Sequence, residues 1–352
     1  MAEAAAAALA LIADRPSLGA LAAARAKATG AVKQGIDEEC AQCAGQFAAR
    51  GDNATAVRVY RQLIGRQEPQ MVRIVALGGL AAAEGNAAVP ALVAEVESKD
   101  LTAEAAARNS LYNLRGPVID PAIVSAIGSS SGKVKVKLIM ATGERGSAAA
   151  ADALVKALQE QGPDVHREAL KALKNVAGPA QVPSLVDVLV NASTAADRRD
   201  ASQTLALVLK RSQPPQIGAV PAAYQKNTAA QARLSLLEVM GQTSSEQSLP
   251  VLREALKDSS AEIRRGAILA PTDWADAAPM PDLLDLAKTS ANQSLQVLAL
   301  RGYLKLVALP SQRTDAESAR LLAIAQAAMA DESVTKEAKA AVDKINSLVK
   351  YK

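Results

Sequence analysis

"GPDVHREALKALKNVAGPAQVPSLVDVLV", residues 162–190, decides the fold. Val165, Ala169, Ala172 and Leu173 recur at helical spacing, so the first half reads as a helix with one apolar stripe. A break at Gly178-Pro179 follows, and then a second apolar run opened by Val182-Pro183. Proline is tolerated in the first turn of a helix, so that step marks a start rather than an interruption. Two such helices cannot bury their stripes by themselves and need further copies to stack on.

The copies are present. "EPQMVRIVALGGLAAAEGNAAVPALVAEV" (68–96) and "DSSAEIRRGAILAPTDWADAAPMPDLLDLA" (258–287) repeat the phrase. A basic residue just after an apolar one recurs at Arg73, Arg108, Lys137, Arg167, Arg199, Arg233, Arg264 and Arg301, with gaps of 29 to 37 residues. Prolines 90, 121, 183, 221, 250 and 281 keep the same beat, and "AADALVKAL" (150–158) is a copy without one. The expectation is an all-α chain, an α-solenoid of about ten to twelve antiparallel helix pairs with no sheet. Composition agrees: 49% of the 352 residues are hydrophobic but only 2% aromatic, so alanine supplies much of the core. Alanine favours helices and lets them approach closely.

These features resemble the HEAT-repeat family, whose units join an acidic turn, an apolar–Arg–x–x–Ala run and a second helix opening near Val-Pro. "KDSSAEIRRGAILA" (257–270) and "PDVHREALKAL" (163–173) carry the pattern most plainly, and the resemblance covers roughly residues 67–352. It implies a solenoid, a fold that serves scaffolds, transport receptors, lyase subunits and nucleic-acid binders alike. Before residue 67 the rhythm changes. Cys40, Cys43, Phe47, Gly51, Ala56 and Tyr60 resemble one tetratricopeptide unit, best seen in "ARGDNATAVRVYRQLI" (49–64). Residues 1–66 are therefore expected to form a helical cap and residues 67–352 the HEAT array.

Little here looks like chemistry. Cys40 and Cys43 form the C-x-x-C of "IDEECAQCAGQF" (36–47), but Ala44 stands where haem attachment needs His, and no strand precedes the pair. Zinc would need two more ligands, and the single histidine, His166, is far away in sequence. Both cysteines are expected to be buried as small apolar groups, with a disulfide as the alternative in an exported chain. His166 reads as a surface position beside Asp164. "GSSSGKVKVK" (128–137) lacks the spacing of a phosphate loop. "PTDWADAAP" (271–279) holds the one tryptophan, Trp274, between Asp273 and Asp276. HEAT-like DNA glycosylases use Trp and Asp in a cleft, but with no second aromatic nearby a packing role is expected. No enzyme activity, cofactor or metal site is expected.

The basic ladder is the most repeated polar feature. In one reading each cation bonds the acidic turn or carbonyls of a neighbouring repeat, with Asp164, Asp197 and Glu262 as suitable acids. Arg167→Ala and Arg264→Ala would then each cost roughly 1–3 kcal/mol. In the other reading the eight residues line an anion-binding inner face, thickened by Lys133, Lys135, Arg198 and Arg265. Aromatic platforms for bases or sugars are missing, so another protein, not nucleic acid, is the expected partner. A net charge of +4 is too weak to name a polyanion by itself.

The function expected is a protein-interaction scaffold or adaptor; the alternative is a glycosylase-like nucleic-acid binder working through the basic face. "ALRGYLKLVALPSQR" (299–313) resembles HEAT stretches of large bacterial proteins, some fused to 3-keto-disaccharide hydrolase domains. That resemblance implies an accessory role in bacterial carbohydrate processing. No membrane insertion is expected: "AEAAAAALALIA" (2–13) is shorter than a bilayer needs and carries Glu3 where a secretory signal has a base. A leader already removed would look the same, so cytoplasm and periplasm or exterior both stay open.

Overall fold

The computed structural model describes residues 2–96, 100–114, 119–160, 162–212, 217–272, 274, 276, 278–309 and 314–349. Among them the regular elements are helices, with no strand. They form two compact units, Met1–Val176 and Ala177–Lys352. The first contains α1 (Ala2–Ile12), α2 (Arg15–Lys27), α3 (Gly30–Ala49), α4 (Asn53–Leu63), α5 (Gln70–Glu84), α6 (Val89–Val96), α7 (Leu101–Asn113), α8 (Ile119–Ser129), α9 (Gly132–Arg145), α10 (Ala151–Ala157) and α11 (Pro163–Val176). The second contains α12 (Val182–Val190), α13 (Ala195–Arg211), α14 (Ala219–Lys226), α15 (Ala230–Thr243), α16 (Leu249–Ala255), α17 (Ala261–Thr272), α18 (Met280–Thr289), α19 (Gln293–Val307), α20 (Asp315–Ala328) and α21 (Thr335–Val349). The fold is an α-solenoid of stacked helix pairs.

Local sequence sets the helix starts. Every proline of the beat falls in the first turn of α6, α8, α12, α14, α16 or α18. Side chains of Asp100, Thr194 and Asn292 accept hydrogen bonds from the first free N–H groups of α7, α13 and α19. Short 3-10 turns at 85–88, 148–150, 179–181 and 246–248 lead straight into α6, α10, α12 and α16.

The helices bearing the basic ladder, α5 through α19 at every second place, form one row within each unit, which α21 continues; α6, α8, α10 and their counterparts form the other. Ladder helices pack extensively on one another, whereas successive partner helices touch only slightly. Each unit's stack is thus tightest along its ladder row. The sequence opens each repeat with its ladder helix, but the close pairs are α6 with α7, α8 with α9, and so on to α20 with α21. The break ahead of each partner helix carries the chain on to the next layer, so packing units begin at that helix.

Small residues set the spacing. Ala76, Ala107, Ala169, Ala201, Ala267 and Ala299 are wholly buried on the ladder helices α5, α7, α11, α13, α17 and α19. A Cβ on Gly143 of α9 would lie 2.9 Å from Ala172 Cα of α11, and one on Gly241 of α15 would lie 2.3 Å from the Ala270 carbonyl oxygen of α17. These helices meet at their backbones.

At the start of the first unit, Arg25 of α2 and Lys33 of α3 each pair with both Asp37 and Glu68. Asp37 is wholly buried and Glu68 nearly so. This closed set of two cations and two anions ties α2 and α3 to the segment that enters α5. Buried charges persist only when paired in this way. Cys40 and Cys43, on α3 beside it, are free and buried, and burial pushes the Cys40 thiol up to about 11. Such a thiol holds little of the reactive thiolate, which fits the packing role.

One stretch departs from the expectation about membranes. Residues Gln70–Val96, which contain an 18-residue window of mean hydropathy 1.3, are long and apolar enough to cross a bilayer by length and composition. Gly85, at φ +60° and ψ −127°, breaks them into α5 and α6. Here α5 packs on α3, α4 and α7, and α6 packs on α7 and α8.

Adjacent glycines test the close approaches. Gly78 is exposed, and a Cβ there meets nothing, whereas one on Gly79 would lie 2.2 Å from the buried Tyr60 ring. Gly78→Ala should stabilise by about 0.5–1 kcal/mol through helix propensity. Gly79→Ala should destabilise by roughly 1–3 kcal/mol through overpacking. Urea denaturation of the two variants reads the difference, and equal shifts would count against backbone-close packing.

Candidate interaction face

The ladder residues do not all do the same thing. Arg73, 6% exposed, lies between Glu95 of α6 and Asp100 at the start of α7, its Nη1 3.3 Å from the latter. Arg108 binds Glu144 of α9 at 3.1 Å, and Lys137 returns to Glu104 of α7 at 2.9 Å. Arg233 donates to Asp258 at 2.7 Å and to the Tyr224 hydroxyl at 2.6 Å, with its guanidinium carbon 4.4 Å from the Tyr224 ring centre. Arg301 reaches the Ser333 carbonyl ahead of α21 at 3.0 Å and lies 3.6 Å from Glu337. These five bind the neighbouring layer.

Asp258 shows how such a turn is built. Its carboxylate is held below the ordinary value near 3.8, first by the Ser260 backbone N–H and further by Arg233. Asp100 is lowered in the same way, first by the Ala103 N–H, with Gln70, the Thr102 N–H and Arg73 adding to it. Asp100 caps α7 and Asp258 holds the turn ahead of α17, and each receives a cation from the ladder helix before.

The remaining three are local or free. Arg264 donates to the Asp258 and Ser259 carbonyls of its own leading turn, at 2.6 and 2.9 Å. Among the described residues Arg167 pairs only with Asp164, at 2.6 Å, where the side chains are 54% and 72% exposed. Arg199 is exposed with no ion pair among the described residues. Asp197 accepts from Thr194, and Glu262 from Gln231, so neither serves a ladder cation. Lys135 is 5% exposed and bound to Glu160 at 2.7 Å, and Arg198 donates to the Ala192 carbonyl. Neither thickens an anion face.

Other sequence candidates resolve as structure. A ring nitrogen of His166 sits 3.1 Å from the Leu158 carbonyl at the end of α10. Trp274 is 2% exposed, so it lines no open cleft, and exposed Asp276 accepts the Ala278 N–H in a turn; Asp273 lies outside the described residues. A cation outside the ladder escaped sequence reasoning. Arg145, in the last turn of α9, donates to the Leu111, Tyr112 and Leu114 carbonyls at 2.6–2.9 Å and pairs with Asp120 of α8. Its only signal was a basic residue just before Gly146, a helix-end pattern that says nothing about a neighbour.

What the rows share is polarity. In the first unit, ladder helices α5, α7, α9 and α11 hold nine Lys or Arg against five Asp or Glu, and partner helices α6, α8 and α10 hold one against three. In the second, α13, α15, α17, α19 and α21 hold twelve against six, and α12, α14, α16, α18 and α20 hold four against six. Exposed large apolar side chains follow the same division. Met71, Val75, Leu101 and Tyr112 in the first unit, and Leu207 and Leu269 in the second, all lie on ladder helices. From α5 onward Met329, just after α20, is the one exception among the described residues.

The exposures separate two kinds of ladder residue. Arg73→Ala should cost roughly 3–5 kcal/mol, because it strands the buried Glu95 carboxylate. Arg167→Ala should cost less than about 1 kcal/mol, not the larger loss expected from sequence, because both partners are solvated. Guanidinium denaturation of the pair checks this, and a large loss in the Arg167 variant would contradict the assignment.

Residues 119–206 match the family model for HEAT repeats. No curated protein matches the chain. Among solved structures it is similar to human deoxyhypusine hydroxylase in complex with glycerol, at 18% identity over 76% of this chain and 99% of that one, with a TM-score of 0.32. It is similar to the karyopherin Kap121p bound to the SUMO protease Ulp1p, at 11% identity, 96% of this chain, 47% of that one and a TM-score of 0.48. It is also similar to the complex of CpcE and CpcF of phycocyanin lyase from Nostoc sp. PCC7120, at 15% identity, 74% and 94% coverage and a TM-score of 0.32. The chain thus spans less than half of the Kap121p chain it resembles. Likenesses this remote say nothing of activity. What the comparisons support is a stretch of HEAT repeats over residues 119–206, set within a stack of helix pairs.

Proposed function

We propose that this chain is a non-enzymatic protein-interaction scaffold, and that the exposed side of its ladder row is the docking face. The observation that carries this reading is the coincidence, on the ladder row of each unit, of excess basic charge with nearly all the exposed large apolar side chains among the described residues from α5 onward. Apolar side chains left in contiguous contact with water mark binding surfaces. Cations around them favour an acidic protein over a single-stranded nucleic acid, which would want aromatic platforms instead. The cap of residues 1–66, with its tetratricopeptide-like α3–α4 hairpin turning at Gly51 (φ +86°), packs through α3 and α4 on α5, the first ladder helix. The stretch 299–313, of which 310–313 lie outside the described residues, supports placing the partner in a bacterial carbohydrate-processing system.

Affinity capture with the purified chain tests the proposal. A defined protein, identified by mass spectrometry, should be retained by the native chain and lost with Val75→Asp and Leu101→Asp, both at exposed positions. Duplex DNA should show no retention at about 150 mM salt, where non-specific phosphate contacts are weak. Tight duplex binding abolished by Arg199→Ala, in a chain that melts normally, would overturn the scaffold reading in favour of the nucleic-acid one.

A further inference from the structure

Within the second unit the ladder row opens into a groove. It has a volume of about 280 Å³ and is bounded by Leu269 and Thr272 of α17, Leu298, Arg301 and Lys305 of α19, and Ala340 of α21. The walls are largely apolar, and the rim carries Arg301 and Lys305 with Glu337 beside them. Leu269 is 41% exposed although its neighbour Ile268 is wholly buried, so a large apolar side chain stands in water at the groove's edge. The Arg301 guanidinium is held by the Ser333 carbonyl and by Glu337 while its side chain stays 46% exposed. A cation fixed in place loses less freedom when it meets a carboxylate than one on a floppy stem.

Charge around the groove is lopsided. The three helices that form it hold seven Lys or Arg against three Asp or Glu, and the partner helices α16, α18 and α20 hold three against five. An anionic ligand is therefore drawn to the ladder side of this unit. Tyr303, the aromatic residue of α19, is 1% exposed, so no ring is offered for a base to stack on. Phosphate chains and lipid headgroups would leave Leu269 and Leu298 unused. Taking as given that the ladder row docks protein, we infer that this groove receives an acidic segment of a protein partner. The segment inserts a Leu, Ile or Phe side chain between α17 and α19 and sets flanking Asp or Glu against Arg301 and Lys305.

Selection from a displayed library of random peptides, about twelve residues long, against the purified full chain at low salt tests the inference. Peptides enriched by the native chain should combine an apolar anchor with flanking Asp or Glu. Their affinity should fall at least about tenfold with Leu269→Asp and with Lys305→Glu, and should hold with the double variant Met71→Asp, Val75→Asp in the first unit. Exchanging the peptide's acids for lysine should restore binding to the Lys305→Glu chain, a rescue that a merely unfolded variant cannot give. Enriched peptides without acidic residues, or undiminished binding to both groove variants, would overturn the groove assignment. Loss confined to the Met71, Val75 variant would also overturn it but leave the scaffold reading standing. No peptide enrichment, with salt-sensitive binding to duplex DNA or to vesicles containing phosphatidylserine, would overturn both.

Discussion

Everything in this molecule depends on ladder helices meeting at backbone distance. Where Gly143 lies against Ala172, and Gly241 against the Ala270 carbonyl, no larger side chain fits. The buried alanines earlier in each ladder helix keep the same spacing. An array with almost no aromatic residues cannot rely on large side chains to fill its layers, so it brings the layers together instead. Dispersion contacts between close backbones and methyl groups then replace the aromatic bulk of an ordinary core.

Close stacking also decides where charge goes. Helices that nearly touch leave no room for long side chains between them except at their ends. There Arg73 and Arg233 reach the acids ahead of the next ladder helix, and Arg145 reaches the carbonyls that end the one before; Arg301, midway along α19, reaches the Ser333 carbonyl from the exposed side. Cations used in this way hold the stack. Cations beyond that need, such as Arg199, Arg265 and Lys339, remain exposed on the same row beside Leu207 and Leu269. The adhesive surface is thus the outer side of the structural spine, and the two roles differ by burial rather than by residue type.

Much of this was legible in sequence because a repeat exposes its own period. Val165, Ala169 and Leu173 predicted an amphipathic helix, and Pro183 predicted the start of the next; both hold. C-x-x-C was readable as packing from its place on α3, and both thiols are buried. Pairing between layers was not readable. Asp164 and Asp197 look as suitable as Asp258, yet they turn to Arg167 and Thr194 of their own layers. Which acid a cation meets depends on helix offset, a tertiary quantity that a period of about thirty residues leaves free. The quartet of Arg25, Lys33, Asp37 and Glu68 was hidden for the same reason, since Arg25 and Glu68 come from segments on either side of α3, which carries the other two.

If the ladder row is the spine, it should be the last part of each layer to open. Local opening follows burial and packing, and amide exchange reads it helix by helix. Hydrogen–deuterium exchange on the free chain, resolved at the level of short peptides, measures this most directly. The account predicts that α7, α9, α15 and α17 exchange far more slowly than their partner helices α6, α8, α14 and α16. Equal or greater protection of the partner helices would contradict it.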